Sequence, residues 1–264
     1  MPDIDNSLED IEQEKSVKGD RSISESNIIK EISAEYAIVC EGLFKDYEIG
    51  DFIVRAVDNV SLTIQNGEFL VIKGPSGAGK TSFLNLIGGL DSPNNGILYS
   101  FGVKISDMEE ESLTTWRLLN TGFVFQNYNL ISTLTAEENV MFPMNLSGVA
   151  FKEQRKRAEE LLRKMSLLDR REHLPFQLSA GEQQRVAIAR ALANDPPMIL
   201  ADEPTANLDK KTSQFIRDLF KDLKDDVRTI IIATHDDYLI NLADRILSFD
   251  DGKIINEEII RKSD

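Results

Sequence analysis

One octapeptide constrains this 264-residue chain more than any other feature: Gly74-Pro75-Ser76-Gly77-Ala78-Gly79-Lys80-Thr81, followed by Ser82. It fits the pattern G-x-x-x-x-G-K-[ST]. Glycines let backbone N–H groups curl around phosphate oxygens with no Cβ in the way. A helix starting at the loop points its positive end at the same charge. Lys80 is then expected to reach the β- and γ-phosphates of ATP, and Thr81 to present its hydroxyl to Mg²⁺. The flanks suit the loop, since residues 68–73 (EFLVIK) read as a buried strand and residues 81–89 as a helix. Alone, such a loop says only that a nucleotide is held, because kinases, GTPases and recombinases use it too.

The surrounding pattern is α/β. Residues 36–44 and 54–64 read as strands with Asn66-Gly67 as a turn, and residues 97–101 and 122–125 as further strands. Residues 135–194 turn helical, with helices expected at 152–166 and 181–193. Short apolar strands follow at 198–201 and 229–233, then a pair at 246–249 and 253–255 around Asp251-Gly252. Strands alternating with helices imply a mostly parallel sheet. One domain is expected over 36–258, with a helical insertion near 127–193 and a short C-terminal tail at 259–264. Residues 1–35 are acidic, carry no aromatic before Tyr36 and read as a disordered tail. Ile23, Ile28, Ile29 and Ile32 could give that tail one short amphipathic face for a partner.

Composition removes several function classes. A single cysteine, Cys40, excludes an internal disulfide framework and a cysteine-based zinc site, and His173 and His235 lie far apart. No run approaches the roughly 20 apolar residues of a membrane span. Net charge is −15, from 30 basic and 45 acidic residues, so no nucleic-acid partner is expected.

Two further segments narrow the nucleotide reading. In Met198-Ile199-Leu200-Ala201-Asp202-Glu203 an apolar strand delivers two carboxylates to the sheet edge where ligands bind in α/β folds. Asp202 suits Mg²⁺, held through water, and Glu203 suits a general base for an attacking water. The segment Leu178-Ser179-Ala180-Gly181-Glu182-Gln183-Gln184-Arg185 opens a helix and resembles the signature of the ABC ATPases, usually written LSGGQ. Ala180 stands where that signature has a glycine and Glu182 where it has glutamine.

The resemblance spans roughly residues 37–257. Gln126 sits where the family has its Q-loop glutamine, Asn207-Leu208-Asp209 resembles the D-loop, and His235 occupies the place of the switch histidine. Tyr47 falls where an aromatic stacks on adenine, with Phe44 and Phe52 as nearby alternatives. Residues 123–140 and 199–209 are similar to the ATPases of lipoprotein release and macrolide export, a group that includes a cell-division ATPase. The family implies an ABC-type P-loop NTPase fold: a RecA-like core, an N-terminal antiparallel β subdomain and a helical insertion. It implies ATP hydrolysis with Mg²⁺ on Thr81, Asp202 and Gln126, and catalytic roles for Glu203, His235 and Gln126. A second copy, a homodimer in the simplest case, would contact the bound ATP through Ser179, Ala180, Gly181 and Glu182. A separate transmembrane permease would hold the chain at the cytoplasmic face of the cell membrane, and Tyr128, Leu130, Ile131 and Met141 would face it. Export or extraction of a lipoprotein, peptide or hydrophobic cargo is the leading expectation. The alternative is a regulatory or mechanical role on a membrane partner without transport.

Overall fold

The structure is a computed structural model that describes residues 35–260 except Asp51 and Val227. The tail expected over residues 1–34 and the last four residues lie outside the described residues.

Two sheets organise the chain. The first is antiparallel, in the order β2-β1-β4-β5, from β1 (Tyr36–Ile49), β2 (Phe52–Gln65), β4 (Asn95–Ser100) and β5 (Val103–Lys104). The second runs β10-β9-β3-β8-β7-β6. In it β3 (Phe69–Lys73), β6 (Thr121–Val124), β7 (Met198–Asp202), β8 (Thr229–Ala233) and β9 (Arg245–Asp250) are parallel, and β10 (Lys253–Ile259) closes one edge antiparallel.

The parallel strands are apolar on both faces because both faces are covered. Phe69, Val71, Ile199, Ala201, Ile230 and Ile232 face one core, which includes α3 (Ala136–Leu146), α4 (Phe151–Lys164), α5 (Ala180–Ala191) and α6 (Lys210–Asp225). Their alternates Leu70, Ile72, Met198, Leu200, Ile231 and Ala233 face the other core, with the antiparallel sheet, α1 (Lys80–Ile87) and α2 (Glu110–Asn120). A short α7 (Asp237–Leu242) precedes β9.

Several expectations need correction. The first strand runs past residue 44 and the second begins before residue 54, so Tyr47 lies inside β1 and not in a gap between the two strands. The polar stretch that hid this is held by cross-strand pairing, with Arg55 Nε 2.9 Å from Asp46 Oδ1. The C-terminal tail does not begin at 259: Ile259 pairs with Arg245, and the Ile260 N–H donates to the Asp244 carbonyl at 2.8 Å. The helical insertion does not end cleanly at 193, because α5 packs on both α3 and β6 and so belongs to insertion and core alike. Met141 is buried among Val140, Met144 and Leu162, which removes it from the expected partner surface. Among the described residues no helix is long and apolar enough to cross a membrane.

Candidate functional site

Four adjacent parallel strands, β3, β8, β7 and β6, end at one edge of the second sheet. Each delivers one of the expected stations there. The phosphate loop follows β3, His235 follows β8, Asp202 ends β7 with Glu203 next, and Gln126 follows β6. Val124 pairs with Ala201, and exposed Gln126 lies two residues beyond that pair.

The loop itself is built for an anion. Gly79 caps α1 with φ 97°, and a Cβ there would lie 2.0 Å from the Ala56 carbonyl oxygen. Gly77 has φ 81° and open space at its Cβ position, which leaves that side clear for phosphate. No side chain caps α1 and no acidic residue stands in its first turn, so its N–H groups are left for a ligand. Buried Lys80 donates to the carbonyls of Gly74 and Pro75 at 2.6 and 2.9 Å. Pro75, Ser76 and Ala78 complete the loop, with the Ala78 N–H on the Pro75 carbonyl.

The acidic side is assembled by contacts far apart in sequence. The Thr81 hydroxyl donates to Asp202 Oδ2 at 2.6 Å. That pair supplies two hard oxygen donors beside the loop, a set that fits Mg²⁺, which takes few protein ligands and completes its shell with phosphate and water. Glu203 has a left-handed backbone, φ 45°. Such a conformation costs a non-glycine residue about 1–3 kcal/mol and persists where surrounding structure imposes it. Here the Glu203 N–H is tied to the Ala233 carbonyl at 2.8 Å. One carboxylate oxygen of Glu203 accepts from the Thr234 hydroxyl at 3.3 Å, and the other lies 3.5 Å from His235 Nε2.

Tyr47 stands beside Ser82, just past the loop. Its hydroxyl donates to Asp91 Oδ2 at 2.8 Å and is hydrogen-bonded with Ser82, and burial is the largest influence raising its pKa. Phe44, an alternative for the aromatic role, is covered by the Arg55 guanidinium at 5.4 Å. Phe52 shares the Tyr47 face of the hairpin, since Tyr47 pairs with Val54 and Ile49 with Phe52.

The signature segment forms a second helix N-terminus. Ser179 caps α5, accepting from the Glu182 N–H at 3.3 Å, while Glu182 Oε2 accepts from both the N–H and the hydroxyl of Ser179 at 2.8 Å. The Ser179 N–H holds the Glu182 carboxyl below its ordinary range. The two departures from LSGGQ now have physical readings. Ala180 is the first helical residue with no left-handed backbone, so a methyl group is tolerated. Gly181 cannot change as freely, since its Cβ would lie 2.7 Å from Thr212. Glu182 closes the capping box. Asp209 caps α6, accepting from the Thr212 hydroxyl at 2.6 Å.

Among the described residues no hydrogen bond or ion pair joins residues 179–182 to residues 74–82. Sequence reasoning also missed Thr234, which orients Glu203, and Arg190, which donates to the carbonyls of Tyr128 and Asn129 at 2.8 and 2.5 Å. Those carbonyls belong to two left-handed residues just past Gln126, and burial lowers the Arg190 pKa to about 10. No spacing rule points from position 190 to 128.

Comparison with known proteins identifies the family. Residues 57–206 match the family model described as ABC transporter. The chain is 46% identical over 233 residues to the ABC transporter ATP-binding protein MJ0796 of Methanocaldococcus jannaschii, covering 86% of this chain and 99% of that one. It is 46% identical over 211 residues to the macrolide export ATP-binding/permease protein MacB of Hyphomonas neptunium, covering 80% of this chain but 33% of that protein. A dimeric structure of the MJ0796 cassette in a post-hydrolysis state with ADP and Pi aligns with TM-score 0.81 at 44% identity, covering 85% of this chain and 99% of that chain.

Proposed function

The chain belongs to the ABC transporter family and is an ATPase, and from that premise we propose that two copies sandwich ATP and drive a separate membrane permease. The observation that carries this reading is the pairing of Thr81 with Asp202 at 2.6 Å, one residue before Glu203 and one strand from His235.

On ATP binding, Lys80 exchanges two backbone carbonyls for phosphate oxygens, a stronger charge-assisted partner. Gly74, Pro75, Ser76, Gly77, Ala78, Gly79, Thr81 and Ser82 surround the phosphates, and Tyr47 stacks on the base. Thr81, Asp202 and Gln126 would hold Mg²⁺, which would supply positive charge against the phosphate oxygens. Glu203 takes the proton of the attacking water and His235 steadies the γ-phosphate. Ser179, Ala180, Gly181 and Glu182 of the second copy close over that phosphate, with Asp209 beside the junction. Residues 36–258 act as the nucleotide-binding domain, with residues 127–193 as its helical arm.

A groove of about 500 Å³, lined by Leu90, Leu118, Phe123, Phe125, Leu146 and Arg190, borders the turn that follows Gln126. We assign it to a cytoplasmic element of the permease, which keeps the chain on the inner face of the membrane. Tyr128 and Asn129, clamped by Arg190, then couple that groove to the γ-phosphate side; Leu130 packs partly on the core, and Ile131 follows it. The similarity to macrolide exporters favours export or extraction of a hydrophobic, peptide or lipoprotein cargo.

Glu203→Gln tests the assignment. ATP binding should persist, turnover should fall by about 10²–10⁴-fold, as loss of a general base predicts, and the dimer should accumulate with ATP. Turnover unchanged in a coupled phosphate assay would move the base elsewhere.

A further inference from the structure

Two aromatic side chains are more exposed than any other large apolar residue among the described ones: Phe176 at 78% and Phe52 at 76%. Neither is a loose accident of a loop. Phe176 lies in the 3-10 turn Pro175–Gln177 that leads into α5, three residues ahead of Ser179. Pro175 is buried, and Gln177 locks the turn by accepting from the Leu174 N–H at 2.8 Å, so the turn displays Phe176 outward. Phe52 sits near the tip of the β1–β2 hairpin. Its cross-strand partner Ile49 is also exposed, as is Val54, the partner of Tyr47. The alternation of a strand puts Tyr47, Ile49, Phe52 and Val54 on one face, while Glu48 and Ile53 take the other. The result is an apolar lip of Ile49, Phe52 and Val54 that extends the Tyr47 face outward.

We propose that Phe176 of one copy seats on the Ile49, Phe52 and Val54 lip of the second copy and closes the base end of the bound nucleotide. This rests on the head-to-tail dimer proposed above. In that arrangement Ser179 meets the phosphates on the second copy's loop. Phe176 can lie at most about 10 Å from Ser179 along the chain, a reach comparable to the distance from phosphates to base. The base is held at Tyr47, which is anchored to Ser82 at the loop itself. The two apolar surfaces therefore flank one nucleotide from opposite copies, continuous with the phosphate–signature junction, and two-fold symmetry makes the contact twice. A second copy of this chain is thus the occupant that covers the lip.

Cys40 is buried, so introduced cysteines can be read without removing it. The test is a disulfide cross-link in the full chain carrying Glu203→Gln, Phe52→Cys and Phe176→Cys. Cross-linked dimer should form under mild oxidant with ATP and Mg²⁺ and not with ADP. In parallel, Phe176→Ala and Phe52→Ala should each weaken the ATP-dependent dimer of the Glu203→Gln protein about 10-fold by sedimentation, with the double variant close to either single one. ATP affinity of the Phe176→Ala monomer should not move. A dimer that forms normally without cross-linking, or losses that simply add, would overturn the seat. So would a Phe52→Ala protein that loses only its permease on co-purification, because the lip would then belong to the permease. A Glu203→Gln protein that stays monomeric with ATP would remove the dimer reading itself, and this contact with it.

Discussion

The two helix N-termini that the proposed dimer would turn toward phosphate are finished in opposite ways. The N-terminus of α1 has a left-handed glycine at its cap, no side-chain acceptor and no acid in its first turn. The N-terminus of α5 is satisfied by Ser179, and Glu182 returns the bond. An uncapped helix start leaves donors that a ligand must meet. A capped one is stable without ligand. The contrast explains a division of labour. In the proposed dimer the first end would bind nucleotide within one copy, and the second, already finished, would be used only when another copy brings it a phosphate.

Variants can break this contrast at either end. The largest effect is expected from Lys80→Ala, which deletes the cation of the uncapped end. Charge-assisted hydrogen bonds contribute about 1.5–3 kcal/mol each, so ATP affinity by fluorescence titration should fall at least 10-fold while the fold persists. Normal affinity would contradict the loop assignment.

Gly181→Ala comes next. Its new methyl group meets Thr212 at 2.7 Å, within a packed junction between α5 and α6. Overpacking of this kind costs about 1–3 kcal/mol, visible as a lower melting temperature. The neighbouring change Ala180→Gly should cost far less, since position 180 has ordinary helical backbone. If both behave alike, the packing account of this signature is wrong.

Ser179→Ala should cost about 1 kcal/mol of stability by loss of the cap. It should also weaken the ATP-dependent dimer while leaving ATP binding by the monomer intact. A loss of monomer binding would mean that the two helix ends are not separate.

The smallest effect belongs to Glu182→Gln, which keeps an acceptor for the Ser179 N–H but removes a negative charge that would face the second copy's phosphate. The ATP dimer should tighten a few-fold. The folded Glu182 carboxyl titrates below its ordinary value, because the Ser179 N–H favours the charged form. Its contribution to stability is therefore fully present above that value and is lost as pH falls through the lower folded value. Acid unfolding curves of the Gln variant should lack this component.

Much of the sheet edge that carries the candidate site was legible in the chain. The strand expected at 229–233 is β8 residue for residue, and the strand at 198–201 differs from β7 only by Asp202. Runs of four or five apolar residues followed by a charge or polar turn have few readings other than buried strands. The helices Glu110–Asn120 and Lys210–Asp225 were less visible, although the second is strongly two-faced. Their apolar residues are spaced among many charges, so no short apolar run announces them.

Local chemistry alone determined which residues could hold phosphate, which carboxylates could serve as acids or bases, and that Ser179 could cap a helix. Those properties depend on residue type, glycine freedom and spacing within a turn or strand. Tertiary structure decided which of these groups meet. Thr81 and Asp202 are 121 positions apart. Burial of Met141, the clamp of Arg190 on the turn after Gln126, and the shared face of Tyr47 and Phe52 likewise follow from strand order and register, which no local pattern encodes.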